Sequence, residues 1–311
     1  MPAMGDLIIL ASPRGKRHIW RIDPKQDLHT QDGFLKASDL AAAAFGSEVR
    51  TSMGVPFRME RPQLYDLVMG IKRQTQVMYP KDMGLICFKL GVGNGRTILE
   101  AGSGSGGFTI ALSWFSGSQG HVHSFEAREE FYKLAKRNLA WAGMGHNVSL
   151  HLRDIASGFG VDEADCLNGQ KGDALFLDVR TPWAYLDAAR EALVPGAPIA
   201  FLLPTVEQVS RLIEALELKP FEETEVCEVL VRPWKAVPGR LRPEDRMNAH
   251  TAFLVFTRMQ ERSADWDAHI PLGTRERKQE AARQARLAAA RERESREKAG
   301  NAAEPADFFE D

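Results

Sequence analysis

The sequence predicts an α/β protein, with a doubly wound and mostly parallel sheet preceded by a small β-rich domain. Three observations support this class. After about residue 95, apolar runs alternate with helical stretches, which is typical of parallel sheets with helices on both faces. A glycine-rich turn, Gly102–Gly107, joins the first of these runs directly to a helical pattern. Before residue 65, short strand-like runs and turn signals predominate over helical patterns.

The first element of the N-terminal region is a predicted hairpin. The apolar run Leu7–Leu10 and the run His18–Ile22 flank the turn Ser12–Gly15. A Pro-containing turn between two such runs is a hairpin signal. We therefore expect a small β-rich domain over residues 1–65.

The central region, residues 66–260, contains the alternating pattern. Its six buried-strand candidates are Ile98–Ala101, Val122–Phe125, Val148–Leu152, Ala174–Leu177, Ile199–Leu203 and Thr251–Phe256. Helical stretches lie between them at 129–142, 184–193 and 206–218. The remaining residues, 261–311, form a charged segment with Leu287 as the one large aliphatic residue between 275 and 298. We expect a partly helical or disordered tail that does not build a core.

Composition restricts the class of protein. The chain has 311 residues, 44% of them apolar, and no apolar stretch near the roughly 20 residues that span a bilayer. The N-terminus lacks the pattern of a secretory signal. Cys87, Cys166 and Cys227 lie far apart and show no metal-site spacing. We expect a cytoplasmic protein without a metal. A net charge of −2 argues weakly against a protein dominated by nucleic-acid binding.

The glycine-rich turn predicts a nucleotide-like cofactor. Glycines at a strand-to-helix turn allow positive φ and a close approach of the backbone to a ligand. In an α/β sheet this turn lies at the carboxyl edge of a strand, where ligands bind. The spacing Gly102-x-Gly104-x-x-Gly107 also fits the dinucleotide fingerprint. The turn alone therefore leaves the identity of the cofactor open.

Four carboxylates at the ends of four successive strands narrow this choice. They are Glu100, Glu126, Asp154 and Asp178. An acid in the position of Glu126 suits either cofactor, because both contain a ribose. A carboxylate at Glu100 would repel a pyrophosphate and attract a cation. Taken together, the four carboxylates favour a sulfonium-bearing adenosine cofactor. For any one of them, the alternative is an acid that only caps the next helix.

Several motifs resemble those of one family, the bacterial and archaeal tRNA (adenine-N1)-methyltransferases of the class I, S-adenosylmethionine-dependent fold. They are Tyr79–Asp82, Glu100–Gly106, Phe125–Glu126, Leu177–Trp183, Pro204–Gln208, Arg232–Trp234, Arg242–Pro243 and His250–Thr251. The resemblance runs from about residue 5 to residue 258. It departs from the family at Val179-Arg180-Thr181, where relatives often have a further acid, and in the tail.

The resemblance implies a Rossmann-like sheet and methylation of N1 of adenosine 58 in the tRNA T-loop by a homotetramer. It assigns the cofactor S-adenosylmethionine to Glu100, Gly102, Ser105, Gly106, Gly107, Phe108, Glu126, Phe131, Asp154 and Asp178. Within this set, residues 105–108 would contact the methionine part, Glu126 the ribose and Asp154 the adenine, with Phe131 packed near the adenosine. Asp178 would be the catalytic carboxylate. Tyr79 and Gln208 would shape the pocket of the target base.

Two basic patches are candidates for phosphate contacts. One is Arg14, Lys16 and Arg17 in the hairpin, and the other is 240–246. Three alternatives stay open at this point. They are a non-catalytic RNA-binding subunit, a methyltransferase for another acceptor, and a nicotinamide-dependent oxidoreductase. An intact glycine turn and Asp178 disfavour the first, and the additional carboxylates disfavour the third.

Overall fold

The computed structural model describes residues 1–74, 78–260, 263, 280–289 and 292. The chain falls into two compact units, residues 1–157 and residues 158–311. The predicted domain boundaries at 65 and 260 stay a prediction.

The first unit opens with a four-stranded antiparallel sheet in the order β2-β1-β6-β5. Its strands are β1 Leu7–Ala11, β2 Arg17–Arg21, β5 Glu48–Arg50 and β6 Pro56–Glu60, and a separate hairpin is formed by β3 Leu28–Thr30 and β4 Gly33–Leu35. The predicted hairpin is confirmed, since Leu7 pairs with Arg21 and Ala11 with Arg17. Side chains such as Ile8, Leu10 and Phe57 fill the core of this sheet.

Three helices accompany this small sheet, one between β4 and β5 and two after β6. They are α1 Ala37–Ala42, α2 Leu64–Gly70 and α3 Pro80–Leu90. Helix α2 begins with a capping box in which Gln63 and Asp66 satisfy each other's backbone N–H groups. Helix α3 begins with proline at its first position and ends at Gly91, which has the left-handed conformation.

The first unit also contains three parallel strands in the order β7-β8-β9. They are β7 Thr97–Ala101, β8 His121–Glu126 and β9 Val148–Leu152, joined through α4 Gly107–Ser116 and α5 Glu129–Ala142. Strand β7 is almost completely buried because its apolar side chains face packed layers on both sides. The predicted alternation of strands and helices is confirmed here.

The second unit pairs β10 and β11 in parallel and then adds two antiparallel strands. Its elements are β10 Ala174–Leu177, α6 Leu186–Ala192, β11 Pro198–Leu203, α7 Val206–Glu217, β12 Phe221–Cys227, the short hairpin β13 Trp234–Lys235 with β14 Arg242–Pro243, and β15 Phe253–Met259. A 3-10 turn, Pro182–Tyr185, precedes α6 and occupies the beginning of the helix expected from residue 184.

Two features of the second unit differ from the sequence-based prediction. The last strand begins at Phe253, two residues later than expected. Strand β12 was not predicted, because its residues 222–225 are two glutamates, a threonine and a third glutamate, most of them exposed. Charges of this kind are common on edge strands, and β12 pairs only with β15 among the described residues.

Residues 280–289 of the tail are helical, which agrees with the predicted partial helicity. Their packing differs from the expectation of a fully solvated helix. Leu287 is buried, and the Arg283 guanidinium lies 3.1 Å from the Glu217 carboxylate of α7. A buried aliphatic side chain and an ion pair therefore connect this part of the tail to its own unit.

Among the described residues, no helix is both long and apolar enough to cross a membrane. The same part of the chain contains no group of three or more metal-ligating side chains.

The three cysteines should differ sharply in reactivity. Burial of the Cys87 thiol, together with the nearby negative charge of Glu100, raises the pKa of that thiol to about 12. A raised pKa keeps Cys87 protonated at pH 8, and only the thiolate reacts with alkylating agents. We expect iodoacetamide at pH 8 to label Cys166 and Cys227, which are partly exposed, well before Cys87. Peptide mass spectrometry of the folded protein measures this order, and equal labelling of all three would contradict the buried position of Cys87.

Candidate active site

The glycine turn begins where β7 ends and is fixed by hydrogen bonds to the end of β8. The N–H groups of Gly102 and Ser103 both donate to the Phe125 carbonyl, at 2.9 and 3.3 Å. Gly102, Gly104 and Gly106 have φ of +94°, +53° and +78°. Because this left-handed region is unfavourable for residues with a Cβ, the turn requires glycine at these positions.

Gly106 has a second requirement, which is a close approach to α5. A Cβ added at Gly106 would lie 3.1 Å from Ala135 Cα and 3.2 Å from Ala135 Cβ. The turn therefore packs directly on the backbone of α5, and a small residue is needed on each side of the contact. The first turn of α4, which begins at Gly107, starts from this contact.

The Glu126 carboxylate is held in place at the end of β8 by the turn itself. Its Oε2 accepts a hydrogen bond from the Gly104 N–H at 2.9 Å, and its Oε1 accepts from Arg128 N and Nε at 3.1 and 3.2 Å. The side chain is only 3% exposed. A carboxylate offers about four lone-pair positions, so it has room for a further donor such as a ribose hydroxyl.

Glu100 is also buried, but its described hydrogen bonds are structural. Its Oε2 accepts hydrogen bonds from the hydroxyls of Thr109 on α4 and Ser124 on β8, both at 2.6 Å. Ser103 and Ser124 share a further hydrogen bond of 2.6 Å between their hydroxyls. This carboxylate therefore joins β7, β8 and α4 beneath the turn, and its negative charge lies under the proposed cofactor site.

Asp154 follows β9 and is exposed. Its Oδ1 accepts from the Ala156 N–H at 2.9 Å, while its carbonyl accepts from the N–H and hydroxyl of Ser157. The residue thus caps a 3-10 turn, which is the simple alternative for an acid at a strand end. Its second carboxylate oxygen takes no hydrogen bond from the described residues and is available to an amine.

Phe131 of α5 is half-buried, with the Arg128 guanidinium 3.9 Å from its ring centroid.

In the second unit, Asp178 is exposed at the end of β10. The Gln208 side chain, in the first turn of α7, donates from Nε2 to the Arg180 carbonyl at 3.1 Å. Gln208 also accepts the hydroxyl hydrogen of Thr205, which caps α7. Gln208 therefore anchors the loop two residues after Asp178, a role that the sequence did not reveal.

His250, from the His250–Thr251 motif, connects three segments of the second unit. Its Nδ1 lies 2.5 Å from the Glu228 carboxylate and its Nε2 lies 3.3 Å from the Pro204 carbonyl. The resemblance identified His250 and Pro204 without relating them, and it missed Glu228, which has no motif of its own. His250 thus joins the two motifs in the folded chain.

Asn138 of α5 is a second residue that sequence reasoning missed. Its buried amide donates to the Ser105 carbonyl at 2.7 Å and bonds to the backbone of Lys72, two segments far apart in sequence. Nothing in the spacing of α5 distinguishes Asn138 from an ordinary buried position.

Tyr79 is half-buried at the cap of α3, after the undescribed residues 75–77.

The residues of this turn fit an adenosine cofactor with a cationic methyl donor better than a dinucleotide. The buried Glu100 carboxylate, just before the turn, would repel a pyrophosphate. Glu126 is oriented with remaining hydrogen-bonding capacity, and the absence of a Cβ at Gly106 keeps the turn close to α5. A buried carboxylate at Glu100 adds negative potential beneath the turn.

Comparison with known proteins identifies the family. Residues 59–285 match the family described as tRNA methyltransferase complex GCD14 subunit. The chain belongs to this family. It is 33% identical over 253 residues to the tRNA (adenine(58)-N(1))-methyltransferase TrmI of Thermus thermophilus, covering 81% of this chain and 96% of the relative.

Two solved structures are similar over most of the chain. The tRNA (m1A58) methyltransferase TrmI of Aquifex aeolicus has 36% identity and a TM-score of 0.69, covering 84% of this chain and 99% of that one. A protein of Thermotoga maritima described as a SAM-dependent O-methyltransferase has 39% identity and a TM-score of 0.77, covering 84% and 96%. The predicted family and the Rossmann-like class I methyltransferase fold are thereby confirmed.

The packing at Gly106 should not tolerate a methyl group. We expect Gly106→Ala to lower the free energy of unfolding by about 1–3 kcal/mol, because it adds left-handed strain of about 1–2 kcal/mol to a tight contact with Ala135. It should also weaken binding of S-adenosylmethionine, measured by calorimetry.

Gly84, in the middle of α3, provides the matched control. It has open space around its missing Cβ, so Gly84→Ala should stabilise the helix by about 0.5–1 kcal/mol. Chemical denaturation of both variants compares them, and a Gly106→Ala protein as stable as the wild type would exclude the proposed constraint.

Proposed function

We propose that this protein transfers a methyl group from S-adenosylmethionine to N1 of adenosine 58 in the T-loop of tRNA. The observation that carries the proposal is the family match over residues 59–285 in a chain that keeps Asp178 and the glycine turn. The protein would act as a homotetramer in the cytoplasm.

The cofactor would be held by residues of the turn and of the neighbouring strand ends. Ser105, Gly106, Gly107 and Phe108 would contact the methionine part, and Gly102 would allow the backbone to approach it. Glu126 would accept hydrogen bonds from the ribose hydroxyls, Asp154 from the adenine amine, and Phe131 would pack on the adenosine. Glu100 would act through its charge. These assignments rest on the resemblance and on the donor and acceptor chemistry of the side chains.

The bound cofactor supplies an electrophilic methyl group on a sulfonium. The protein's contribution is to hold the acceptor nitrogen in line with it. Adenine N1 already has a lone pair, so no residue needs to remove a proton before transfer. Asp178 would accept a hydrogen bond from the exocyclic N6 amine, orient the ring and stabilise the positive charge that develops on it.

Adenosine N1 lies on the Watson–Crick edge, so the base must leave its stack to react. An aromatic platform commonly receives such a base, and Tyr79 is the candidate. Gln208 would shape the pocket from the side of Asp178, because its amide anchors the Arg180 backbone. Arg180, where relatives often have an acid, would make this pocket less negative.

An oxygen acceptor is the second candidate, because the Thermotoga structure is described as an O-methyltransferase. The two products differ in chemistry. We would incubate the protein with labelled S-adenosylmethionine and unmodified tRNA and map the label by nuclease digestion and mass spectrometry. N1-methyladenosine converts to the N6-methyl isomer in alkali, whereas a methyl ether does not. A tRNA with uridine at position 58 should accept no label.

Asp178→Asn should separate binding from chemistry. We expect methyl transfer to fall by about 10²-fold or more, as for other groups that stabilise developing charge, because a neutral amide no longer balances the cationic ring. Affinity for S-adenosylmethionine should change little. Asp165→Asn, an exposed acid of the same unit, is the control. Single-turnover rates with saturating tRNA measure the effect, and near wild-type rates would refute the role of Asp178.

The homotetramer can be tested directly. Large apolar side chains between residues 230 and 241, including Leu230, Trp234 and Leu241, are more than half exposed in the single chain, and burying them favours association. Light scattering on a size-exclusion column should give four times the chain mass of 34.6 kDa. A monomer at micromolar concentration would contradict the expectation.

A further inference from the structure

Gly70, the last residue of α2, and the residues after it up to Gln74 lie against α5. At Gly70, an added Cβ would lie 2.8 Å from the Trp141 ring, so the backbone passes directly over that side chain. Two residues later, the backbone of Lys72 bonds to Asn138. Gln74 then lines a groove together with residues of the first three turns of α5.

Asn138 fixes this segment to the glycine turn. Its Oδ1 accepts from the Lys72 N–H at 3.2 Å, and its Nδ2 donates to the carbonyls of Lys72 at 2.8 Å and Ser105 at 2.7 Å. The side chain is 3% exposed, so these bonds are shielded from water. Gln74 N–H adds a long contact of 3.5 Å to the Ser105 hydroxyl. The segment and the turn are thus held by one buried amide.

The surface around this segment is basic. The groove of about 610 Å³ is lined by Gln74, Glu130, Lys133, Lys136, Arg137 and Ala140. Lys72 and Arg73 lie exposed on the segment beside it. This surface thus has five cations, Lys72, Arg73, Lys133, Lys136 and Arg137, and two carboxylates, Glu129 and Glu130. The chain as a whole has a net charge of −2. The basic character is a local property of this face.

The cations of the groove are available to a partner. Lys133 is paired with Glu129 at 2.6 Å, a contact between exposed groups that is worth little. Lys136 and Arg137 are exposed and make no ion pair with any described residue. On α5, Lys133 is the neighbour of Lys136 at i,i+3 and of Arg137 at i,i+4, and like charges at these spacings are unfavourable. A polyanion with regularly spaced charges relieves this repulsion.

We propose that the α5 basic surface, formed by Lys72, Arg73, Lys133, Lys136 and Arg137, contacts backbone phosphates of the bound tRNA. The inference rests on the proposed function and adds a position for the RNA. Two features favour RNA over an acidic protein. The groove is lined by Gln74, charged side chains and Ala140, without a large apolar side chain, and its segment leads, after residues 75–77, to the proposed base platform Tyr79.

The double variant K136Q/R137Q tests the surface, with K25Q/K36Q as the control. The control removes two exposed lysines of the same unit that lie outside the groove. We would measure tRNA affinity by fluorescence anisotropy at several salt concentrations. Each lost phosphate contact lowers the slope of log affinity against log salt by about 0.7–0.9. We therefore expect a slope smaller by about 1.4–1.8 and an affinity loss on the order of tenfold, with no change in the control.

Three further measurements separate the explanations. The charge-conserving variant K136R/R137K should restore affinity and slope, which a merely structural role of the wild-type side chains would not produce. S-adenosylmethionine affinity of K136Q/R137Q, by calorimetry, should equal that of the wild type, since the groove residues lie on the outer face of α5. Equal unfolding midpoints for the variants would show that both are folded.

Four outcomes are informative. Wild-type affinity and slope for K136Q/R137Q would overturn the inference while leaving the proposed function intact. Loss of cofactor affinity without loss of tRNA affinity would also overturn it. The basic side chains would then support the glycine turn and not bind RNA. Loss of binding to an acidic polypeptide, with tRNA binding unchanged, would assign the surface to a protein partner. A wild-type protein that neither binds nor methylates tRNA would refute the proposed function itself.

Discussion

The contact between Gly106 and Ala135 is the constraint on which the first unit depends. Because neither residue has a side chain larger than a methyl group, the glycine turn lies on the backbone of α5. This contact fixes where α4 begins and brings the Gly104 N–H within 2.9 Å of the Glu126 carboxylate. It also places the Ser105 carbonyl within reach of Asn138. The packing of the turn, the orientation of the Glu126 carboxylate and the position of residues 72–74 are therefore linked to this contact.

The acids around the turn divide into two kinds, although the sequence presents them alike. Glu100 is enclosed by hydroxyls of two other elements, so it contributes a fixed charge and a fixed geometry. Glu126 is fixed by the turn but keeps capacity for a further hydrogen bond, and Asp154 is exposed. A charge beneath the site and acceptors at its surface suit a cationic ligand, since the first attracts it without competing for its hydrogen bonds.

The sequence predicted the parallel strands and the glycine turn because both have strong local signals, namely continuous apolar runs and glycines that need positive φ. It missed β12, whose polar residues 222–225 become a strand only by pairing with β15. It also missed Asn138, Glu228 and the anchoring role of Gln208. Each of these acts through a backbone group distant in sequence or through another motif, and such a pairing leaves no periodic or compositional trace. The packing of Leu287 was missed for the same reason.

A slightly acidic chain that acts on RNA needs its positive charge in particular places. A uniformly basic surface would bind any nucleic acid, because phosphate contacts carry no sequence information. A basic face on α5 mechanically joined to the cofactor turn through Asn138 has a different consequence. Under the proposed function, RNA phosphates held at that face would lie beside the residues that Asn138 joins to the glycine turn. Binding energy from the RNA phosphate backbone would then help to position a single base. Positioning is what an in-line transfer to a ring nitrogen most requires.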